Sequence, residues 1–500
     1  MTHTEAVPTT EPEVIAGSGD SGRSRPSVSG REVMAGEPLR RLLLVSLGLM
    51  CVAAALVFTA VARAPELSIV DEPAHAGHLY TVAHGHIPAK GTRVPAEIRY
   101  EWFCHDQAGG VTVTDNGAKI PVVPAGSRCT GYTTSWESGA QEYTFGDPPV
   151  YYVVTGLLDR AISPLVPGRH NFINVGRDIG AVWLFAAMIV LYLAARRFRI
   201  SWPYALAAAL MVPLCPGVLA ASSEVTSDAP AALCGALGLY ALARLTVDKR
   251  MGLIVPFVLT ALTTGTKVIN GLPLLAVGAV ALVMAVATLW RERDWRRAVR
   301  PFLVSVSISA GFLLVFGGWT VYQNHRGKAH WVNPNAHDSI PLKGSRVGDL
   351  ASNLFGSFQH LTTTYWLGPQ ISGESVVIWA TVLCALFCGA PLAVLAISRS
   401  WSGGWLLGLG TFVGISAVSL AVEAPVVLSS HEYFQVVSAR YAITFLPWTI
   451  LCLAVLAHRR RLLRTTYLFV SLGLLVVLLA VFGVVNLGPA ISSHTSYLVG

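Results

Sequence analysis

Asp71, Glu72, His75 and His78 crowd two carboxylates and two imidazoles into the stretch IVDEPAHAGHLYTVAHGHIP (69–88). A helix starting near Pro73 puts His75 and His78, three apart, on one face. Asp71 or Glu72 then sits at its N-terminus, where the helix dipole favours the ionised carboxylate. An ionised carboxylate there can take a proton from a hydroxyl. The competing use is metal ligation, with Asp71, His75 and His78 as part of a zinc or manganese site. No second pair with ligand spacing accompanies them. The sequence therefore requires no divalent metal and leaves the cofactor unknown. Glu72 ahead of Pro73 also fits a plain helix cap, and His78, His84 and His86 read as solvated loop histidines.

Further charges stand where apolar runs begin or end. Arg177 and Asp178 precede one run; Glu224 and Asp228 lie in the turn SSEVTSDAP; Lys267 lies in TTGTKVING; Arg440 and Tyr441 open SARYAITFLPW. Each has a structural reading: Asp228 as a cap before Ala229-Pro230, Lys267 as a snorkelling lysine, Arg440 as a topology marker. Their functional reading is a phosphate clamp, Arg as a fork and Lys as a point charge. One carboxylate base beside a phosphate clamp is what transfer from a lipid-phosphate donor requires.

The elements that position these residues are membrane helices. Of 500 residues, 53% are apolar and only 13% charged, about half the charged fraction of soluble domains; mean hydropathy is +0.55. Residues 1–38 read as a disordered cytoplasmic tail. A first span follows at 41–63. Others are expected at 178–195, 202–221, 229–246, 251–267, 271–290, 301–321, 375–397, 403–422, 440–457 and 466–487, about eleven in all. The fold class is all-α and polytopic, with a transmembrane domain over 39–465 and a last span and short outer tail over 466–500. RRFR (196–199), DKR (248–250), RERDWRRAVR (291–300), Arg399 and HRRRLLR (458–464) fall on one side, so the positive-inside rule puts the N-terminus inside and the C-terminus outside. The net charge of +8 is then a topology signal, and no nucleic-acid partner follows from it. The loops 64–177 and 323–374 face outward. The first contains VTVTDNGAKIPVV, which reads as short strands, and GDPPVYYVVTGLLDRAISPL, which reads as interfacial. Cys104 and Cys129 share that loop and suit a disulfide in an oxidising compartment. Asp71, Glu72, His75, Arg177, Asp178, Glu224, Asp228, Lys267 and Arg440 all fall at outer helix ends, where ionisable groups persist only with partners or water.

DEPAH (71–75), DPPVYY (147–152), SEVTSDAP (223–230), GTKVINGLPLL (265–275) and ARYAITFLPW (439–448), in this order after a first helix, resemble the GT-C superfamily of membrane glycosyltransferases. They are most similar to a bacterial family of uncharacterised multi-pass membrane proteins with an Asp-Glu-Pro-x-His motif after the first helix. The family pattern has Gly where this chain has Ala439; Arg440 and Tyr441 are intact. The resemblance spans roughly residues 41–460. It implies a GT-C-like fold in the plasma membrane and inverting transfer of a sugar, hexosyl or pentosyl, from a polyprenyl-phosphate donor to a cell-envelope glycan or lipid on the extracytoplasmic side. Asp71 is the implied base, with Glu72 as neighbour or substitute and His75 in support. Lys267 and Arg440 are the implied donor-phosphate contacts, and Tyr151, Tyr152, Arg177, Asp178, Asp228 and Tyr441 line the site.

Two other readings share these features. A lipid-linked glycan flippase or transporter would show charges on both sides of its path and inverted repeats; the sequence shows no internal repeat, and its membrane-facing acids cluster on the outer side. An envelope ligase using a lipid-diphosphate donor would draw on the loop 323–374, with Tyr322, His325, Arg326, His337, Arg346 and His360 at or near it. No Walker loop, GxSxG, HExxH or dinucleotide fingerprint is present, which argues against an ATP-driven pump or a soluble-type hydrolase.

Overall fold

The computed structural model describes residues 38–63, 71–99, 142–166, 172–327, 339–341, 389–399, 402–434 and 439–459, with a few isolated positions besides. The chain divides into two compact units, 1–42 and 43–500; the description below concerns the second. The tail 1–37, the strands expected near 111–123, Cys104, Cys129, His337, Arg346, His360 and nearly all of the span expected at 466–487 lie outside the described residues.

The fold is helical and multi-pass. Among the described residues the helices with both ends placed are α1 (Leu39–Arg63), α2 (Glu72–Ala83), α3 (Val150–Ile162), α4 (Phe172–Asp178), α5 (Gly180–Arg197), α6 (Trp202–Met211), α7 (Pro216–Ser223), α8 (Ala231–Thr246), α9 (Ile254–Thr266), α10 (Leu272–Glu292), α11 (Trp295–Arg326), α12 (Gly403–Ser430) and α13 (Leu446–Arg459). Two three-residue strands, β1 (Ser339–Pro341) and β2 (Glu432–Phe434), pair antiparallel with Ile340 opposite Tyr433.

Among the described residues six helices are long and apolar enough to cross a bilayer, or seven if the bent pair Trp202–Leu214 and Gly217–Ser223 is one span. They match six of the expected spans: 41–63, 178–195, 271–290, 301–321, 403–422 and 440–457. The others differ for physical reasons. The run at 202–221 is bent by 69°, where Pro213 and Pro216 each withhold a backbone donor. The runs at 229–246 and 251–267 are helices of 16 and 13 residues, short of the roughly 20 that a bilayer core needs. Of 375–397, only the helical residues 389–397 are described.

The short helices end where polar groups gather. The chain leaves α9 at Lys267 in an extended conformation and turns through a 3-10 stretch, Val268–Gly271, into α10. Thr260, Thr263, Thr264, Thr266 and Asn270 are buried around this break. Irregular backbone among membrane helices is tolerated where protein covers it. Small residues let the neighbours approach. A Cβ on Gly180 of α5 would lie 1.8 Å from the Ser222 carbonyl oxygen of α7, and one on Gly235 of α8 would lie 2.0 Å from that of Thr444. Trp448 donates its indole N–H to the Gly235 carbonyl at 2.9 Å, holding α13 against α8. The helix ends carrying the charged motifs fall at one end of this packing. Basic pairs such as Arg197 with Asp248, and Arg459 with the Ile397 carbonyl, hold the other. Gly235→Ala should overpack this contact and destabilise the protein by about 1–3 kcal/mol, read as a lowered melting temperature in detergent; an unchanged melt would contradict the close approach.

Candidate functional site

Asp71 is the residue from which α2 starts. It lies in the left-handed region, φ 64° and ψ −3°, which Asp tolerates better than most side chains. Its carboxylate makes no capping bond. One oxygen accepts from the Tyr143 hydroxyl at 3.0 Å, and the other is ion-paired with Arg440 Nη2. Arg440 stands on the 3-10 stretch Ala439–Phe445 that leads into α13. Its Nε is 3.6 Å from one oxygen of Asp228, whose other oxygen accepts from Lys267 Nζ at 2.7 Å. Asp71, Arg440, Asp228 and Lys267 thus form one chain of alternating charge drawn from four separate segments. The Tyr441 ring serves both cations, with Lys267 Nζ 5.2 Å and Arg440 Cζ 5.5 Å from its centroid, within cation–π range.

Burial alone would raise the Asp71 carboxyl. The Arg440 guanidinium outweighs it, aided by His75 and the Tyr143 hydrogen bond, and holds the group at about 2. Burial is likewise overcome at Asp228, where Lys267 and Arg440 together keep the carboxyl below the ordinary range. Asp71 remains 26% exposed, while Asp228 is 2% exposed. The readings of Asp228 as a cap and Lys267 as a snorkelling lysine give way to a buried ion pair, which neither Pro230, the actual cap of α8, nor an exposed lysine would produce.

Glu72, one residue on, points elsewhere. It is fully buried. Arg177 meets it as a fork, Nε on one oxygen and Nη2 on the other, both at 2.6 Å, and the Val225 N–H adds a bond at 2.9 Å. This differs from the expectation that Glu72 substitutes for Asp71: both its oxygens are committed to Arg177, and it is closed to solvent. Tyr151 accepts from the Thr226 N–H at 3.1 Å, so Glu72 and Tyr151 together fix the 224–228 turn that presents Ser227 and Asp228. Asp178 follows Arg177, half-buried at the end of α4.

Both imidazoles of α2 face the segment 142–152. His75 Nδ1 is 2.6 Å from the Tyr152 hydroxyl oxygen, and that hydroxyl donates to Asp147 at 3.3 Å. Ser227 donates to the same Asp147 oxygen at 2.6 Å. His78 is also buried, which corrects its reading as a solvated loop histidine: it stacks on Tyr152 with centroids 3.6 Å apart, and its Nδ1 is 3.2 Å from Thr144 Oγ1. His84 and His86 are exposed. Burial pushes His75 below the usual imidazole range against the pull of Asp147, and burial together with His75 pushes His78 well below it, so both rings are neutral. Burial raises Glu142 to about 8, although Thr144 donates to it through both its N–H and its hydroxyl.

Asp147, Tyr143, Glu142 and Ser227 were not singled out as functional residues from the sequence. Asp147 had a signal, since it opens the DPPVYY motif; Tyr143 and Glu142 had none. Among the described residues no group of three or more His, Cys, Asp or Glu side chains is arranged to hold a metal ion.

No protein-family model matches the chain, and no curated protein does; the resemblance to the bacterial motif family rests on its residues alone. Among solved structures the chain is similar to the crystal structure of ArnT from Cupriavidus metallidurans bound to undecaprenyl phosphate, with 15% identity and a TM-score of 0.43 over 91% of this chain and 74% of that one.

Two outcomes follow from the buried charges. Glu72→Gln removes the carboxylate that the buried Arg177 fork holds and should cost about 3–5 kcal/mol, seen as a large drop in melting temperature; a drop of a degree or less would refute the importance of this pair. Glu142 has a folded-state value of about 8 against 4.5 for the free side chain. Its contribution to stability is therefore full below pH 4.5 and is lost as the pH rises to about 8. Melting temperature should fall between pH 5 and pH 8.5, and Glu142→Gln should flatten that fall.

Proposed function

We propose that this multi-pass membrane protein is a GT-C-like glycosyltransferase of the bacterial cell envelope. It takes a hexosyl or pentosyl group from a polyprenyl-phosphate donor and passes it, with inversion, to a glycan or lipid acceptor on the extracytoplasmic face of the plasma membrane. The observation that carries this reading is the pairing of two cations, Lys267 and Arg440, around one buried carboxylate beside two partly exposed ones. The cations come from the α9–α10 break and the start of α13. Both suit a phosphate oxygen: Arg440 as a fork, Lys267 as a point charge. Clamping the phosphate as it leaves with growing negative charge is the stabilisation that sugar–phosphate cleavage needs.

The acceptor hydroxyl must also lose its proton. Asp71 is the candidate base suggested by motif order. Its ion pair sets a condition on that role, because a carboxyl held at about 2 is a weak base near neutral pH. Asp71 serves only if Arg440 first turns from it to the donor phosphate. Alternating ion pairs suit such an exchange, since phosphate oxygens replace carboxylate oxygens on the same cations.

The test is incubation of the purified full chain with a panel of polyprenyl-phosphate sugars and candidate acceptors, followed by mass spectrometry of released polyprenyl phosphate and of the glycosylated product. Release from one donor is expected, with turnover lowered about 100-fold in Lys267→Met and Arg440→Lys. Transfer at the wild-type rate in both variants would remove the cations from the donor site. Translocation of lipid-linked sugar across liposomes without any new glycosidic bond would replace the transferase reading with a flippase.

A further inference from the structure

The site's three carboxylates differ in what holds them. Asp71 is paired to Arg440. Asp228 is shared by Arg440 and Lys267 and is closed to solvent. Asp147, on the loop ahead of α3, is held by neutral donors: Ser227 at 2.6 Å and Tyr152 at 3.3 Å, both on Oδ2. Among the described residues no lysine or arginine comes within 4.0 Å of it; its one basic neighbour at that distance is the His75 ring, which burial pushes below the usual imidazole range. With the proton on Nδ1, His75 donates to the Tyr152 oxygen while Tyr152 donates to Asp147, so a buried chain of three groups orients the carboxylate. Its Oδ1 accepts no hydrogen bond from a described residue, and the side chain is 20% exposed. One oxygen is anchored and the other is presented to whatever enters.

We infer that Asp147 is the catalytic base of the proposed transfer, an inference that rests on the transferase reading. Its Oδ1 takes the proton of the acceptor hydroxyl as that oxygen bonds to the anomeric carbon. The sugar–phosphate C–O bond breaks, and polyprenyl phosphate leaves with the bonding electron pair toward Lys267 and Arg440. At the end of the step the proton is on Asp147, the sugar on the acceptor and the phosphate free, with no redox partner required. Asp71 then acts as a positioning residue: it keeps Arg440 extended between two carboxylates until the donor arrives. Asp147 needs no prior exchange of partners, because among the described residues no lysine or arginine pairs with it.

The arrangement also specifies the acceptor. A carboxylate with Oδ2 held by the Ser227 and Tyr152 hydroxyls and Oδ1 open suits a polyhydroxylated ring, which can donate one hydroxyl to Asp147 and a neighbouring one to a lone pair of Ser227. The acceptor is accordingly a glycan hydroxyl and not an amine, which would enter as a cation.

The experiment uses the full chain with the donor found in the panel above. Asp147→Asn should lower kcat by about 10²–10⁴, while binding of polyprenyl phosphate is retained or tightened. Asp147→Glu should recover part of the loss. Asp71→Asn should keep more turnover than Asp147→Asn and should bind polyprenyl phosphate more tightly, because a competitor for Arg440 is gone. Near-normal turnover in Asp147→Asn, or turnover lost in Asp71→Asn and kept in Asp147→Asn, would overturn the assignment while leaving the transferase reading intact. Should Asp147→Asn not fold, Ser227→Ala decides: a fall in kcat with unchanged polyprenyl-phosphate affinity supports the anchored base, and wild-type kcat overturns it. If the wild-type protein releases polyprenyl phosphate from no donor and transfers to no glycan, the transferase reading fails and this inference fails with it.

Discussion

Asp228 is the counter-ion on which the site's architecture depends. Taking a carboxylate out of water costs several kcal/mol, and the cost is met only by well-placed opposite charge and hydrogen bonds. Here two cations meet it from different parts of the chain, Lys267 on one oxygen and Arg440 on the other. That requirement pulls together the turn before α8, the break after α9 and the 3-10 start of α13. Their helices shorten or fray accordingly. α8 and α9 are too short to span alone, and the stretch before α13 is 3-10. The close approach of Gly235 to Thr444, on the same 3-10 stretch that carries Arg440, is the packing form of the same constraint.

A second buried pair does different work. Glu72 and Arg177 are almost free of solvent and bonded as a fork, with Val225 as a third partner. They fix the first loop to the start of the second span and to the turn that carries Asp228. Adjacent residues therefore divide two tasks. Asp71 lies before the helix with a left-handed backbone and faces Arg440. Glu72 begins the helix and, being rotated by about 100° per residue, faces Arg177. The left-handed conformation at Asp71 is what separates them.

This division explains how much was legible in advance. Residue type and position at a span's end identified Asp71, Asp228, Lys267 and Arg440, because an ionisable residue beside an apolar run needs a partner. Adjacent acids could not be told apart, because which one faces which cation depends on a single backbone turn. Asp147, Tyr143 and His78 were harder still. Their contacts join α2 to a loop some seventy residues on, and neither hydropathy nor spacing encodes that pairing. The same limit applied to the spans. Hydropathy marked the apolar runs at 202–221, 229–246 and 251–267, but helix ends set by Pro213, Pro216 and Lys267 decide whether a run crosses straight, bends or stops.

The charge balance of the finished site ties these elements to the proposed chemistry. Asp71, Asp147 and Asp228 face Lys267 and Arg440, with His75 neutral and Glu142 protonated near neutral pH, so the cluster carries an excess of one negative charge. An anionic lipid phosphate adds to that excess and must take its cations from carboxylates that already hold them. Binding then favours any event that puts a proton on a site carboxylate. In the proposed reaction the acceptor hydroxyl supplies that proton as the leaving phosphate gains charge. Protonating Asp71 or Asp228 would forfeit an ion pair already made, whereas among the described residues Asp147 has no lysine or arginine within 4.0 Å. The two cations, Lys267 and Arg440, and the carboxylate of Asp147, which no described lysine or arginine pairs, are therefore parts of one electrostatic arrangement: the first pair draws the phosphate in, and the carboxylate takes the proton that its departure requires.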